Sequence, residues 1–544
     1  MNIIEKFNLK KIDLTLGSVL FIAFILRFIN LGYSDFQGDE IKALFLPDDP
    51  KNIGAFLLSQ RKGPLQFLIT FLLKFLDPQY TNQFLIRLPF TIAAFLAVYY
   101  FYKLVKLYLG TKTAAYSTLF MATNGFFVAF ARIAQYQSLV ILFCILSLYT
   151  LSLAVTKSQM RVKGLFLAML FWALAFLAHY DALFTLPAML MLGVKWFKLK
   201  DIKKPDKLKY AVIGGLIFAV LTLAFYIPFL MYVSQNTRDY WTSRLTGEAS
   251  PRLSSSYYLF TVYQPIYSIH FYMILFTFSI IALLFVFLHK HIRWFISKIR
   301  IIKLLKPFWL ASDDIIINKA TLPVFFTMLF WFALPFLFWE KVVHIPGTHI
   351  YTYLIPVFIL MGIGMEYLEN AWTRLTAKMR VLKPELIKNV LVGGLFIFLG
   401  LQSYTIFVDN SKEYPWQSKS FFIWTLPVPS HAFNLSLFGF PYFRDWESIG
   451  RFVSSDKNVT AYTSNERESI TRYYVKLDKN TDNAGYFIYI RHPQTFTEAI
   501  VSPKALYWAN NHQPIYTYSK GGTDLVDIYL MPVGSVQEIQ SKGL

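Results

Sequence analysis

One cysteine, Cys144, occurs in 544 residues. The chain therefore forms no intrachain disulfide, and it carries no C-x-x-C pair or Cys/His zinc spacing. The glycine signatures of phosphate-binding and dinucleotide-binding loops are missing too. Charge is scarce: 16% of residues are Asp, Glu, Lys or Arg, and acids number 32 against 53 basic residues. Soluble domains carry roughly 25% charged residues, so the composition excludes an ordinary soluble protein.

What is plentiful is apolar. Hydrophobic residues make up 55% of the chain and the mean hydropathy is +0.43. Apolar runs of roughly 17–25 residues recur, the length a membrane-crossing helix needs. The first begins near Leu14 and has no small-residue cleavage site after a short apolar core, which reads as a retained anchor. A net charge of +21 in a soluble protein would point to nucleic acid. Here Lys and Arg gather in short loops between apolar runs, which is the positive-inside pattern, and no nucleic-acid partner is expected.

The basic connections at 103–112, 156–163, 195–209, 289–306 and 374–388, with the N-terminal "KFNLKK", are predicted to be cytoplasmic. Spans then fall at about 14–33, 85–107, 113–131, 138–156, 164–180, 181–197, 209–233, 268–288, 320–338, 350–368 and 388–408. The run "GPLQFLITFLLKFL" at 63–76 is too short to cross and has both ends outside, so it reads as an interfacial or re-entrant helix. A true crossing there, paired with another weak one, would raise the count by two. The expected fold is a polytopic α-helical membrane protein of about 11–13 transmembrane helices. Residues 1–408 form its membrane part, with a first outer loop at 34–84. Residues 409–544 change character: "DWESIGRFVSSDKNVTAYTSNERESITRYYVKL" reads as helix, strand, helix, and "GYFIYIRHP", "QPIYTYS" and "DLVDIYLMP" read as strands. They are expected to form a small extracytoplasmic α/β domain.

The polar residues then collect at the outer ends of the spans: Asp39 and Glu40; Arg61 and Lys62; Arg132, Gln135 and Gln137; His179, Tyr180 and Asp181; Arg238, Asp239 and Arg244; Glu340, Lys341, His344 and His349. Ionisable groups at a membrane edge are functional candidates. Each has a plainer reading. Long cations at helix ends snorkel, a lone histidine such as His344 is commonly structural, and Asp39 can cap the helix that "EIKALFL" starts.

The stretches "LRFINLGYSDFQGDE", "RKGPLQFLI", the long run from "RLPFTIAAFLAVYYFY" to "FARIAQYQSLVILF", and "FLAHYDALF" together resemble the GT-C glycosyltransferases of the protein O-mannosyltransferase and lipid A aminoarabinose transferase type. The resemblance covers roughly residues 20–200, with weaker support from "HIYTYLIPVFIL". It implies a membrane glycosyltransferase that takes a sugar from a polyprenyl-phosphate carrier on the non-cytoplasmic face, with inversion, and passes it to a protein, lipid or cell-envelope glycan. The acidic pair of the first outer loop in such enzymes is matched by Asp39 and Glu40. The Lys-Pro-Pro-type motif is matched only in part by Lys62-Gly63-Pro64. Where many members carry an acid after the "R-x-A" turn, this chain has Gln137, which leaves sugar and acceptor open.

The chemistry needs cations for the departing phosphate, a role for Arg61, Lys62 and Arg132. It also needs a base for the acceptor, a role for Asp39 with Glu40 beside it. Gln137, His179, Tyr180, Asp181, His344 and His349 are further site candidates. No cofactor is assigned from the sequence; two adjacent carboxylates can hold a divalent ion, and Asp39 and Glu40 are the candidate ligands for one. The expected partners are the lipid-linked sugar donor, membrane lipids and an acceptor, and the expected location is the inner or plasma membrane. The competing reading is a transporter or lipid-carrier flippase, which would favour inverted repeats and charges near the bilayer midplane. An inactive assembly protein is a third reading; it would leave the mouth carboxylates tolerant of change.

Overall fold

The computed structural model describes residues 14–46, 52–247, 254–263, 272–273, 276–277, 280, 321–379, 383–413, 420–421, 424–425, 438–493, 502–532 and 534–541. The span expected at 268–288 and the basic loop at 289–306 lie mainly or wholly outside these residues.

Among the described residues, seven helices are long and apolar enough to cross a membrane: Gln83–Thr123, Gln137–Thr156, Ser158–Ala178, Lys204–Tyr232, Pro323–Lys341, Gly347–Ala377 and Pro384–Phe407. The first is two crossings. At about 1.5 Å per residue, its 41 residues would reach roughly twice the thickness of an apolar bilayer core. The helix breaks at Gly110, whose φ of 83° is left-handed backbone that suits glycine. The chain doubles back there, because Thr91 Oγ1 near its start donates to the Ala131 carbonyl at 2.7 Å. Asn82 caps the start of the first segment and Asn124 ends the second and caps the short helix Gly125–Ala131, their side chains accepting the Leu85 and Phe126 amide N–H groups at 3.0 and 3.1 Å. This agrees with the separate runs read at 85–107 and 113–131.

Shorter elements accompany these helices among the described residues. Leu14–Phe28 has 15 residues. Leu65–Leu73 has nine, about 13.5 Å, too short to cross. The run expected as a span at 181–197 opens instead with a 3-10 turn over Tyr180–Thr185, and only Leu186–Phe197 is α-helical. The extended backbone of His179 ends the preceding helix, and Pro187 in the first turn starts the next.

The ends of the helices separate into two sets. At one, Lys112 and Lys388 both pair with Glu369, at 3.0 and 2.8 Å. At the other, Arg87 reaches the Leu31 carbonyl at 3.0 Å, Tyr351 reaches Asp181, and Arg244 reaches the Ile345 carbonyl at 3.0 Å.

The C-terminal part docks on this second end. Its five-stranded sheet has the order 478–479, 461–464, 486–490, 523–530, 516–520. The first three strands are parallel and the last two join antiparallel. The helix–strand–helix reading is borne out by Trp446–Ser455, Ala461–Ser464 and Glu468–Tyr474. Strands read from alternating Tyr and Ile appear at Tyr486–Ile490, Tyr516–Lys520 and Thr523–Leu530. A helix at Pro503–Asn511 and a two-residue strand at Asp478–Lys479 were not expected.

The loop that follows Leu14–Phe28 is sewn to this part. Asp35 N–H donates to the Tyr442 carbonyl at 3.0 Å, and the Asp35 carboxylate accepts the Arg444 amide at 2.7 Å. Phe36 N–H donates to the Tyr474 hydroxyl at 2.9 Å, and the Gln37 side chain donates to the Phe438 carbonyl.

Candidate functional site

The stretch Gly38–Ile41 is a single helical turn. Successive side chains on a helix diverge by about 100°, so Asp39 and Glu40 take different environments. Glu40 is fully buried. Its two oxygens accept Arg87 Nε and Nη2, both at 2.8 Å, together with the amides of Gln37 at 3.0 Å and Ala134 at 2.9 Å. Arg87 spends its remaining donors on the carbonyls of Leu31, Ser34 and Asp35. Four donors occupy the Glu40 carboxylate and tie the loop to Arg87 and to the Ala134 amide.

Asp39 keeps 21% of its side chain exposed and lies 3.4 Å from Lys42. Burial alone would raise its pKa, but Lys62, then Lys42 and Arg467, outweigh burial and hold the carboxyl below its ordinary value. Gly38 lets the helix Glu468–Tyr474 come close, since a Cβ there would stand 2.8 Å from Ser469 Oγ.

Lys62 reaches the same region because of Gly63. A Cβ at Gly63 would lie 2.1 Å from the Leu177 carbonyl oxygen. Only glycine lets this loop pass the end of the helix Arg161–Ala178. The Lys62 ammonium sits 4.8 Å over the Tyr136 ring. Its pKa is lowered by burial, with Asp39 pulling the other way and Lys42 and Arg61 adding to the depression. Arg61 is exposed and stacks 4.5 Å over Tyr240, a ring that Arg244 also approaches at 5.3 Å.

Behind Tyr136 lies a histidine–aspartate group. The Tyr136 ring stacks on His179, with centroids 4.1 Å apart. Asp181 is buried beside His179, and its Oδ2 meets His349 Nδ1 at 2.7 Å and accepts the Tyr351 hydroxyl at 2.8 Å. Tyr180 is 38% exposed, its ring 3.9 Å from that of His179.

Three other candidates, Arg132, His344 and Gln137, have surroundings of their own. Arg132 is 5% exposed and donates to the carbonyls of Leu26, Arg27, Ile29 and Asn30 at 2.8–3.3 Å. It closes the C-terminal end of Leu14–Phe28, where carbonyls lack helical partners. His344 lies against Gly247, and its amide bonds the Arg244 carbonyl at 3.0 Å. Gln137 is buried at the start of its helix, with Oε1 lacking a hydrogen-bond partner.

The structure thus brings Asp39, Lys62, His179, Tyr180, Asp181 and His349 to one end of the bundle. It adds Tyr136 and Tyr351, which the sequence analysis did not single out. Their signal was aromatic residues beside the polar turns "RIAQYQS" and "HIYTY".

Residues 64–232 match the family model described as dolichyl-phosphate-mannose-protein mannosyltransferase. The resemblance read over roughly residues 20–200 is borne out where the two overlap, and the family matched is one of glycosyltransferases. Among solved structures, the chain is similar to ArnT from Cupriavidus metallidurans in the apo state, with 11% identity and a TM-score of 0.49, covering 95% of this chain and 97% of that one. It is similar to the oligosaccharyltransferase AglB of Archaeoglobus fulgidus in complex with an inhibitory peptide and a dolichol-phosphate, with 10% identity and a TM-score of 0.45, covering 96% and 74%. A third likeness is to the S. cerevisiae protein O-mannosyltransferase Pmt1-Pmt2 complex bound to the sugar donor, with 13% identity and a TM-score of 0.32, covering 40% of this chain and 33% of that one. No curated protein matches the chain.

Proposed function

We propose that the chain transfers a sugar from a polyprenyl-phosphate carrier to an acceptor hydroxyl or amine, at the end of the bundle where Asp39 and Lys62 meet. The observation that carries this reading is a partly exposed Asp39 carboxylate, 3.4 Å from the Lys42 ammonium and held below its ordinary pKa by the charges of Lys62 and Lys42, at the end of the bundle. Asp39 takes the acceptor proton as the acceptor atom forms a bond to C1 of the sugar. The C1–O bond to phosphate breaks on the opposite side, and the phosphate leaves with the electron pair as the carrier monoester. Displacement from the far side inverts the anomeric centre. The new charge on the phosphate is met by Lys62, with Arg61 on the adjacent Tyr240 ring.

Residues 1–408 form the transferase part, and residues 409–544 close over its first outer loop. The distribution of the basic loops supports an extracytoplasmic position for this end. A transporter is not favoured, because the ionisable groups gather at one end of the bundle instead of along its middle.

Purified protein in lipid nanodiscs, given a radiolabelled polyprenyl-phosphate sugar and membrane extract as acceptor source, transfers label and releases polyprenyl phosphate. No release with hexose or pentose donors, across acceptor extracts, would overturn the reading. A probe cysteine at position 480 is modified from outside the cell and one at 203 is spared; the reverse pattern would invert the orientation.

A further inference from the structure

The group behind Tyr136 has a feature that glycosyl transfer does not explain. His179 Nδ1 accepts the Asp181 amide N–H at 3.2 Å. The same nitrogen stands 3.1 Å from Asp181 Oδ1. Oδ1 has no hydrogen-bond partner, and Asp181 is 2% exposed. Two lone-pair atoms therefore face each other away from water, an arrangement that repels unless positive charge stands between them. His349 Nδ1 completes the group from another helix, and the ligand atoms of the three residues all lie within 4.8 Å of one another.

We propose that His179, Asp181 and His349 hold one divalent transition-metal ion. Two imidazole nitrogens and a carboxylate oxygen are the donor set of zinc and its first-row neighbours. Bonds of about 2.0–2.2 Å place tetrahedral ligand atoms roughly 3.3–3.6 Å apart. The 3.1 Å contact is already close to that spacing, and the 2.7 Å contact reaches it by opening on the order of half an ångström.

The rings are set in place before any ion arrives. His179 is stacked on Tyr136, and His349 is stacked on Trp339 at 4.8 Å with an interplanar angle of 12°. The Tyr351 hydroxyl on Oδ2 is the outer partner that orients a ligating carboxylate. His349 keeps 20% of its side chain exposed, which leaves a side for a fourth ligand such as water. The ion joins the turn after Ala178 to the turn before Tyr351, and it adds positive charge one aromatic ring away from Lys62. This assignment is independent of the transfer reaction.

The test measures metal on the full chain in detergent, with any affinity tag removed. The protein is stripped with a chelator, loaded with Zn2+ and dialysed, and metal per chain is read by mass spectrometry alongside a thermal melt. Wild type retains one equivalent and melts higher with zinc. His349→Ala and Asp181→Asn fall to background and lose the zinc-dependent shift. His512→Asn, on a ring stacked against Trp508 outside the group, retains both. Wild type that binds no zinc after loading, or a His349→Ala variant that keeps a full equivalent, overturns the proposal in favour of a protonated histidine bridging the carboxylate. If Asp181→Asn does not fold, the partly exposed His349 position decides alone.

Discussion

Arg87 grips Glu40 at two points, Nε to Oε1 and Nη2 to Oε2, each at 2.8 Å and both inside the protein. Breaking a buried pair leaves an uncompensated charge and costs about 3–5 kcal/mol. Glu40→Ala and Arg87→Ala should each lower the melting temperature sharply. The double change to Met at both positions should recover a large part of the loss, because no lone buried charge remains. Thermal melts of the four proteins decide. A Glu40→Ala protein that melts normally would show that the pair does not hold the loop.

Asp39 answers to a different measurement. Asp39→Asn keeps the size of the side chain and removes the base. The variant should insert and melt like wild type while turnover falls about 10²–10⁴-fold. Near-normal turnover would remove Asp39 from the reaction. The contrast with Glu40 is the informative part: of two neighbouring acids, one should act on rate and the other on stability.

Lys62 and Arg132 should separate in the same way. Lys62→Ala should weaken donor binding by about 1.5–3 kcal/mol, roughly ten- to a hundredfold. Arg132→Ala strips donors from a helix end and should act on stability, leaving the folded protein's affinity for the donor unchanged. Calorimetric titration with a short-chain polyprenyl phosphate reads the first effect and a melt reads the second. A donor-binding loss in Arg132→Ala alone would reverse the assignment.

Asp35 carries a pH signature. Burial pushes its carboxyl up to about 7, against the opposing pull of the Arg444 amide and guanidinium. The unfolded chain releases this proton near pH 4, while the folded protein keeps it until about pH 7. Stability from this group is therefore intact below about pH 4, falls as pH rises and levels off above 7, by about 1.4 kcal/mol per unit. Asp35→Asn retains an oxygen for the Arg444 amide and has no proton to lose. Its melting temperature should gain on that of wild type between pH 5 and pH 8. A constant difference across that range would mean Asp35 is ionised in the folded protein.

The crossings and the sheet strands were legible because they are local. A long apolar run or an alternating Tyr/Ile stretch contains its own signal. The gathering of Asp39, Lys62, His179, Asp181 and His349 was legible too, since basic loops fix which helix ends lie together. Individual roles were not. Asp39 and Glu40 are neighbours in sequence, and only the turn of the helix sends one to Lys62 and the other to Arg87. Arg132 reads as a free cation, yet its partners are carbonyls about a hundred positions earlier in the chain. Gly63 reads as a departure from a proline motif, and its reason is the Leu177 carbonyl. Each of these was decided by a partner distant in sequence.

The sewing of residues 34–37 to residues 438–474 also sets an order of events during synthesis. Asp39 leaves the ribosome some 400 positions before Tyr442, Arg444 and Tyr474, the residues that back its loop. Until Arg444, Tyr442 and Tyr474 arrive, the loop lacks the bonds made to Asp35 and Phe36. A nascent or prematurely ended chain thus holds its carboxylate in the membrane without the backing that aims it. The site proposed at Asp39 is then finished only after residues 438–474 have been made and docked.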